Sequence, residues 1–155
     1  MPTKLKEVTK MTNNFIAEYN ELKKIQEAYD SAATEAEKDK ARLSRRELTE
    51  RINDKGSDYA DFFWRFERSW SVGNNYIDFS EVIADKDVPS IVSTLKSLGF
   101  RKFTLSSTWS SVVETAWLFT KNNCSLDGMV EINSQHQDIY TEEFEKVPAF
   151  LFTIN

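Results

Sequence analysis

A run of hydroxyl residues around one tryptophan, residues 106–111 (Ser-Ser-Thr-Trp-Ser-Ser), is the first candidate for chemistry in this sequence of 155 residues. A serine at a strand-to-helix turn is typical of a nucleophile, but the run lacks the flanking glycines of a nucleophile elbow. The one histidine, His136, has no spacing to the run that implies a catalytic triad. We therefore expect Ser107 or Thr108 to cap the start of a helix.

Three carboxylates in the second half, Glu114, Asp127 and Glu131, are candidates for a magnesium site of the nuclease kind. Their spacing is not diagnostic. One cysteine and one histidine exclude an internal disulfide and a zinc site built from thiolates or paired imidazoles. No phosphate-binding loop or dinucleotide fingerprint occurs. We therefore predict no catalytic residue, no metal and no cofactor, and a small metal-dependent enzyme acting on nucleic acid stays as the alternative.

Charge is distributed unevenly along the chain. Residues 1–70 contain 14 basic and 14 acidic residues, so the formal net charge of −5 lies entirely in residues 71–155. The stretch from Ser125 to Glu145 has no lysine or arginine. A surface of this kind repels phosphate and attracts basic partners, although it is also typical of a solvated loop that aids solubility. Its candidate partner-binding residues are Asp127, Glu131, Asp138, Glu142, Glu143 and Glu145.

A basic group lies in the first half of the chain, at Arg42, Arg45, Arg46 and Arg51. Such a group can contact phosphate, and an accessory nucleic-acid-binding protein is therefore a further alternative. Glutamates at 47 and 50 are interleaved with these arginines. Since this arrangement favours an ion-paired, solvated face, we do not expect direct binding to nucleic acid.

The elements that must position these residues begin with a helical hairpin over residues 1–72. Apolar residues recur every seven positions at Val8, Phe15, Leu22 and Tyr29, with Met11 beside them, which predicts a first helix. We expect a second helix from about residue 35 to residue 70, continuing through Gly56, and a stop at Gly73. Long antiparallel hairpins either pack on a neighbouring sheet or form a homodimer interface.

Residues 73–155 alternate strand and helix patterns and are predicted to form a small α+β domain of β-α-β-α-β-β order. We expect parallel pairing of consecutive strands, helices on one face, and a final antiparallel pair joined by a loop at 134–147. The first helix of this part is predicted to be capped by Asp87 and to end at Gly99. In the second helix Trp109, Val113, Ala116, Trp117 and Thr120 share one side.

The sequence has no apolar run that approaches the roughly 20 residues of a membrane-spanning helix. Its first ten residues, MPTKLKEVTK, lack the apolar stretch of a signal peptide. We therefore expect a cytoplasmic protein that does not associate with a membrane.

Three segments carry a resemblance over roughly the second half of the chain: residues 108–119, residues 130–133 (Val-Glu-Ile-Asn) and residues 148–152 (Pro-Ala-Phe-Leu-Phe). They resemble small uncharacterised proteins carried by mobile elements of Firmicutes. The matching residues are core-forming, so the resemblance implies a shared fold and assigns no catalytic role. Small acidic proteins of such elements include anti-CRISPR proteins directed at the RNA-guided nuclease of type II systems, and the resemblance therefore implies an inhibitor of host defence.

These observations together predict a non-enzymatic interaction protein. In this prediction the acidic stretch occupies a basic, nucleic-acid-binding groove of a defence protein such as a CRISPR nuclease. The helical hairpin supplies a second contact or a homodimer interface.

Overall fold

In this computed structural model the backbone of residues 2–155 and the side chains of residues 14–155 are described. The predicted seam residues Val8 and Met11 lie outside the described side chains. No helix in this described part of the chain is long and apolar enough to cross a membrane.

The first two helices form an antiparallel hairpin. Helix α1 is Pro2–Asp30 and helix α2 is Glu35–Asp54. A capping box starts α2, because the Thr34 hydroxyl accepts a hydrogen bond from the Glu37 N–H at 3.2 Å while the Glu37 carboxylate accepts the Ala33 N–H at 2.8 Å.

Pairs of side chains across the hairpin show its antiparallel direction. Glu21 of α1 forms an ion pair with Arg51 of α2 at 2.5 Å, and Tyr29 accepts a hydrogen bond from Arg42 at 3.2 Å. Residue numbers therefore rise along α1 as they fall along α2. The predicted seam residues Phe15 and Leu22 are buried within the same chain.

Helix α3 is Ser57–Ser71, so the prediction of one continuous helix from residue 35 to residue 70 is wrong. The break lies at Gly56, whose φ of +111° is accessible to glycine and strained for other residues. The turn directs the aromatic face of α3 into the core, where Phe63 and Phe66 are almost fully buried. The predicted stop is confirmed, because α3 ends just before Gly73 with its φ of +83°.

The remaining elements confirm an α+β protein with helices first and a four-stranded mixed sheet afterwards. They are β1 (Ile77–Phe79), a 3-10 helix (Asp85–Asp87), α4 (Val88–Ser97), β2 (Lys102–Leu105), α5 (Val112–Lys121), β3 (Cys124–Gln137) and β4 (Phe144–Ile154).

Of the two predicted helix caps, one is right in position only and the other is wrong. Asp87 is the N-cap residue of α4, but its backbone is already helical, its N–H bonds the Ala84 carbonyl at 2.9 Å, and its side chain makes no capping hydrogen bond. Helix α5 begins only at Val112, after a turn in which the Ser107 hydroxyl accepts the Trp109 N–H at 3.4 Å. The hydroxyls of Ser107 and Thr108 therefore precede α5 and do not cap it.

The strand order across the sheet is β1-β2-β4-β3. Strands β1 and β2 are parallel, with Ile77 opposite Phe103, as predicted. The expectation that β3 would continue this parallel pairing is wrong, because β4 lies between β2 and β3 and pairs antiparallel with both. The final antiparallel pair is confirmed, but its strands extend to Gln137 and from Phe144, so the predicted loop at 134–147 shrinks to residues 138–143.

One core joins the helical hairpin to the sheet. Phe15 of α1 contacts the ring of Phe63 in α3, with ring centroids 5.6 Å apart. On the sheet, Phe103 stacks on Phe152 at 5.1 Å, and Phe119 of α5 closes the group. All of these residues belong to a single buried cluster. This buried cluster contains residues from both sides of the predicted domain boundary between residues 72 and 73. The boundary itself stays a prediction.

Candidate functional site

The connection between β3 and β4 (residues 138–143) is a structured turn, and together with the first two residues of β4 we call it the hairpin tip (residues 138–145). The carboxylate of Asp138 accepts the backbone N–H groups of Tyr140 at 2.7 Å and Thr141 at 2.9 Å. The Asp138 N–H bonds the Glu143 carbonyl at 2.8 Å, and the Glu142 N–H bonds the Asp138 carbonyl at 2.9 Å. This network fixes the backbone of the tip before any partner binds.

The charge of Asp138 serves this turn. Hydrogen bonds from the backbone N–H groups of Thr141 and Tyr140 lower the pKa of the Asp138 carboxyl below its usual range. Asp138 therefore stays ionised at neutral pH and holds the turn together. Its carboxylate is less available to a partner than those of its neighbours.

Two large apolar side chains project from the hairpin tip into solvent. Ile139 is 84% exposed and Tyr140 is 89% exposed. An aromatic and a branched aliphatic side chain next to each other offer a partner apolar surface to bury, and Tyr is enriched among residues that dominate binding energy. Sequence reasoning treated this segment as a polar loop and missed both residues. Their position between Asp138 and Thr141, inside a turn, was the available signal.

The six predicted partner-binding carboxylates do not lie together. Asp138, Glu142, Glu143 and Glu145 surround the hairpin tip and are exposed. Asp127 lies eleven residues back along β3, roughly 35 Å of strand at 3.3 Å per residue. Glu131 lies between these two regions, opposite Pro148 of β4. The hairpin tip is therefore the part of the acidic stretch where carboxylates and apolar side chains coincide.

Asp127 is engaged within the fold. Its carboxylate accepts the hydroxyl of Thr153 at 2.5 Å and pairs with Lys102 at 3.3 Å. These two contacts, the hydroxyl first, lower the pKa of the Asp127 carboxyl. A partner would have to compete with Lys102 for this carboxylate.

The candidate metal ligands Glu114, Asp127 and Glu131 are not brought together. Within the described side chains, no group of three or more histidine, cysteine or acidic residues could hold a metal ion. The single cysteine, Cys124, is buried, and burial raises the pKa of its thiol to about 11. Such a thiol is a packing group at neutral pH.

Two of the four arginines in the basic group on α2 form ion pairs. Arg42 contacts Asp39 at 2.6 Å, and Arg51 contacts Glu21 at 2.5 Å. The first pair lies within α2 and the second joins α2 to α1. The face is exposed and partly ion-paired, but the partners are Asp39 and Glu21 and not the interleaved Glu47 and Glu50 on which the prediction rested.

An apolar stripe that faces solvent runs from Trp109, in the turn before α5, along the outer side of α5. Trp109, Val113 and Trp117 are 60%, 68% and 58% exposed. The side of α5 that packs on the sheet contains Ala116 and Phe119 instead. Of the shared side predicted for Trp109, Val113, Ala116, Trp117 and Thr120, only Ala116 is buried.

Comparison with known proteins places most of this architecture in one family. A family model described as a domain of unknown function, DUF7698, matches residues 61–154, from within α3 to the end of β4. No curated protein and no solved structure matches the chain. The match covers the hairpin tip, the sheet and helices α4 and α5, which is more than half of the sequence. The chain belongs to the DUF7698 family.

Proposed function

We propose that this chain is a non-enzymatic interaction protein that binds a basic protein surface through its hairpin tip. One observation carries the proposal: Ile139 and Tyr140 are almost fully exposed at the end of a hydrogen-bonded turn that carboxylates surround. The proposed binding site on the partner is an apolar pocket with lysine and arginine side chains at its rim.

The chemistry of the tip fits this role. A large aromatic and a branched aliphatic side chain supply the desolvated centre of an interface, while charges at the rim exclude wrong partners. The turn is already fixed by Asp138, so binding orders fewer groups and loses less conformational entropy. The tip is thus a preorganised binding element.

The carboxylates at Glu142, Glu143 and Glu145 add long-range attraction. Among the described residues none of these three forms an ion pair, so their charge is open to a partner. Electrostatic attraction of this kind raises the association rate and weakens as salt screens it. Lys146 lies just beyond them and bonds the side chain of Asn133.

The finer form of the proposal concerns the partner. We propose a host protein that handles nucleic acid, of the type II RNA-guided nuclease kind, whose basic groove the tip would occupy in place of phosphate. The charge pattern and the resemblance to proteins of mobile elements support this choice. Under this proposal the protein acts in the cytoplasm as an anti-CRISPR inhibitor.

A homodimer through the helical hairpin is a separate proposal about the same chain. The inner seam of α1 is already used by contacts within the chain, as Phe15 and Leu22 are buried there. A second copy would therefore contact the outer surface of α1 and α2, where Leu43 is 53% exposed. This contact is compatible with a partner at the hairpin tip.

The test measures binding of the full chain to a purified type II nuclease, with and without its guide RNA. We expect the double substitution Ile139→Ser with Tyr140→Ala to weaken binding by about 30-fold or more, the size of one hot-spot residue. The matched control is Val82→Ala, which removes an exposed apolar side chain from the loop after β1 and should leave affinity unchanged.

Two results would contradict the proposal. Equal affinity of the double variant and the wild-type chain removes the hairpin tip from the interface. Absence of binding to the nuclease in both of its states removes that class of partner.

A further inference from the structure

A cavity of about 410 Å³ lies beside the sheet, between α3 and the hairpin of β3 and β4. Its walls come from α3, β1, the end of β2 and the hairpin of β3 and β4. The chemistry-bearing residues that line it are Arg65, Arg68, Asp78, Ser106, Asn133 and His136. Its size falls within the roughly 300–1,000 Å³ that small-molecule sites occupy.

The cavity exists because the long hairpin curves over the sheet. Strands β1 and β3 form opposite edges of the sheet, yet Asn133 of β3 bonds Asn74, three residues before β1, at 2.8 Å. Further along β3, the side chain of Gln135 donates to the Arg68 carbonyl at 2.9 Å. These contacts hold the hairpin across the open face and leave a space beneath it.

Asp78 provides acceptors on one wall of this space. Ile77 and Phe79 point into the core, so Asp78 between them faces the cavity side. Its two carboxylate oxygens accept the hydroxyls of Thr104 at 2.7 Å and Ser106 at 2.6 Å, one on each oxygen. A carboxylate has about four lone-pair positions, so each oxygen keeps one acceptor position for a ligand hydroxyl.

Two arginine side chains, Arg65 and Arg68, lie on another wall of the cavity. The guanidinium of Arg65 is held by Glu81 at 2.5 Å and lies 4.4 Å from the centre of the Phe79 ring. The guanidinium of Arg68 is exposed and makes no ion pair with any side chain of residues 14–155. Arg68 therefore offers the cavity a positive charge that no ion pair occupies.

One buried donor at the cavity is unsatisfied. The Nε of Arg65 has no hydrogen-bond partner among the described residues. Unpaired buried donors are rare, and a water molecule that the protein itself does not supply is a common explanation. Because this nitrogen is shielded from solvent, it does not contact an occupant of the cavity, and the acceptors of Asp78 and the cation of Arg68 are the groups that a ligand can reach.

We infer that this cavity binds a small polyhydroxylated anion of the phosphorylated-pentose class. Two adjacent hydroxyls of the pentose pair with the two free acceptor positions of Asp78, as carboxylates do with ribose in dinucleotide sites. The phosphate lies toward Arg68, whose planar guanidinium suits a phosphate group. The site is separate from the hairpin tip and does not depend on a protein partner.

The test uses the full chain and one built-in reporter. His136 is the single histidine of the sequence and lines the cavity, so its imidazole proton resonances need no assignment among several histidines. The probes are ribose 5-phosphate, AMP, ribose and inorganic phosphate. We expect ribose 5-phosphate to shift the His136 resonances and to bind at least about tenfold more tightly than ribose or phosphate alone.

Simple phosphorylated pentoses and nucleotides both carry this chemistry, and the relative affinities of ribose 5-phosphate and AMP distinguish them. Comparable binding of AMP and ribose 5-phosphate assigns the site to phosphorylated pentoses in general. Much tighter binding of AMP assigns it to a nucleotide. Both results support the inference.

Three variants locate the site. Arg68→Gln should weaken binding of ribose 5-phosphate by about tenfold or more and leave binding of ribose unchanged. Asp78→Asn should weaken both. Arg46→Gln, which removes an exposed arginine from α2, is the matched control and should change neither.

Several results would overturn the inference. One such result is that no probe shifts the His136 resonances at about 10 mM, since a Kd above this concentration is too weak to be specific. Another is that Arg68→Gln binds ribose 5-phosphate as tightly as the wild-type chain does. Inorganic phosphate that binds as tightly as ribose 5-phosphate would indicate an adventitious ion only. Because Arg68 is exposed, its variant decides the question even where Asp78→Asn fails to fold.

Discussion

The side-chain amide of Asn74 pairs with the backbone of Asn133 in the manner of a strand. Its nitrogen donates to the Asn133 carbonyl and its oxygen accepts the Asn133 N–H, both at 2.8 Å. Asn74 is 8% exposed, so both bonds are shielded from water. This pair joins the loop before β1 to a strand at the opposite edge of the sheet.

Asn74→Ala should therefore lower the free energy of unfolding by about 2–4 kcal/mol, because it leaves a buried N–H and a buried carbonyl unpaired. Urea denaturation measures this loss. The control is Asn75→Ala at the exposed neighbouring position, which should change stability by no more than about 0.5 kcal/mol. Equal losses in the two variants would show that the pair contributes nothing specific.

Reversing charge at the hairpin tip should change association more than stability. The triple substitution of Glu142, Glu143 and Glu145 to Lys replaces attraction to a basic surface with repulsion, so the association rate should fall, and added salt should raise this rate instead of lowering it. Stopped-flow binding to the proposed nuclease at several salt concentrations measures both.

The control variant for this prediction has the same net charge as the triple variant at the hairpin tip. Substituting Glu27, Glu47 and Glu50 on the helical hairpin to Lys changes three exposed glutamates far from the tip. We expect this variant to keep most of the association rate. A similar slowing in both triple variants would mean that total charge, and not the tip, governs association.

Gly56→Ala should destabilise the chain by roughly 1–3 kcal/mol, since a side chain at φ +111° is strained. A Cβ atom at this position would meet no neighbour within 4 Å, so the loss reports the backbone alone. Thermal or urea unfolding beside Glu50→Ala, an exposed helical control, measures it. A loss no larger than that of the control would mean that α2 and α3 can join into one helix.

The contributions of Asp78 and Asp138 to the free energy of unfolding should change with pH in opposite directions. Burial raises the pKa of Asp78, and the hydroxyls of Ser106 and Thr104 only partly offset it. Above the ordinary value of about 3.9 the folded chain then holds a proton that the unfolded chain has lost, so this group's contribution falls as pH rises. The stability deficit of Asp78→Asn should be smaller at pH 7 than at pH 4.

Asp138 has the reverse sign, because backbone N–H groups lower its pKa. Its contribution is present above the ordinary aspartate pKa and is lost as pH falls through the lowered value. The deficit of Asp138→Asn should therefore be larger at pH 7 than at pH 3. Urea denaturation of both variants across this range checks the pair, and deficits that change in the same direction would contradict it.

The helical hairpin and the positions of most strands follow from local patterns in the sequence. The seven-residue spacing of Phe15 and Leu22 and the stop at Gly73 depend on neighbouring residues, and the structure confirms them. Gly56 misled the prediction because the propensity cost of one glycine is small, whereas its positive φ is set by how α3 packs.

The sheet order and the site depend on contacts between distant residues. Nothing in the sequence near β3 indicates that β4 separates it from β2. The same limit applies to the cavity, where Arg68, Asp78 and His136 come from three separate segments. Exposure of Ile139 and Tyr140 also depends on the turn around them, which a reading by composition treats as a polar loop.

The placement of β4 has a consequence for the order in which the protein folds. Of the four strands, β4 is synthesised last, and it supplies the inner position between β2 and β3. While the chain emerges from the ribosome, the helices and the β1–β2 pair can form, but β3 has no strand to pair with until β4 follows. Closure of the sheet is therefore a late step that depends on contacts distant in sequence, and until then the apolar faces of β2 and β3 are open to chaperones.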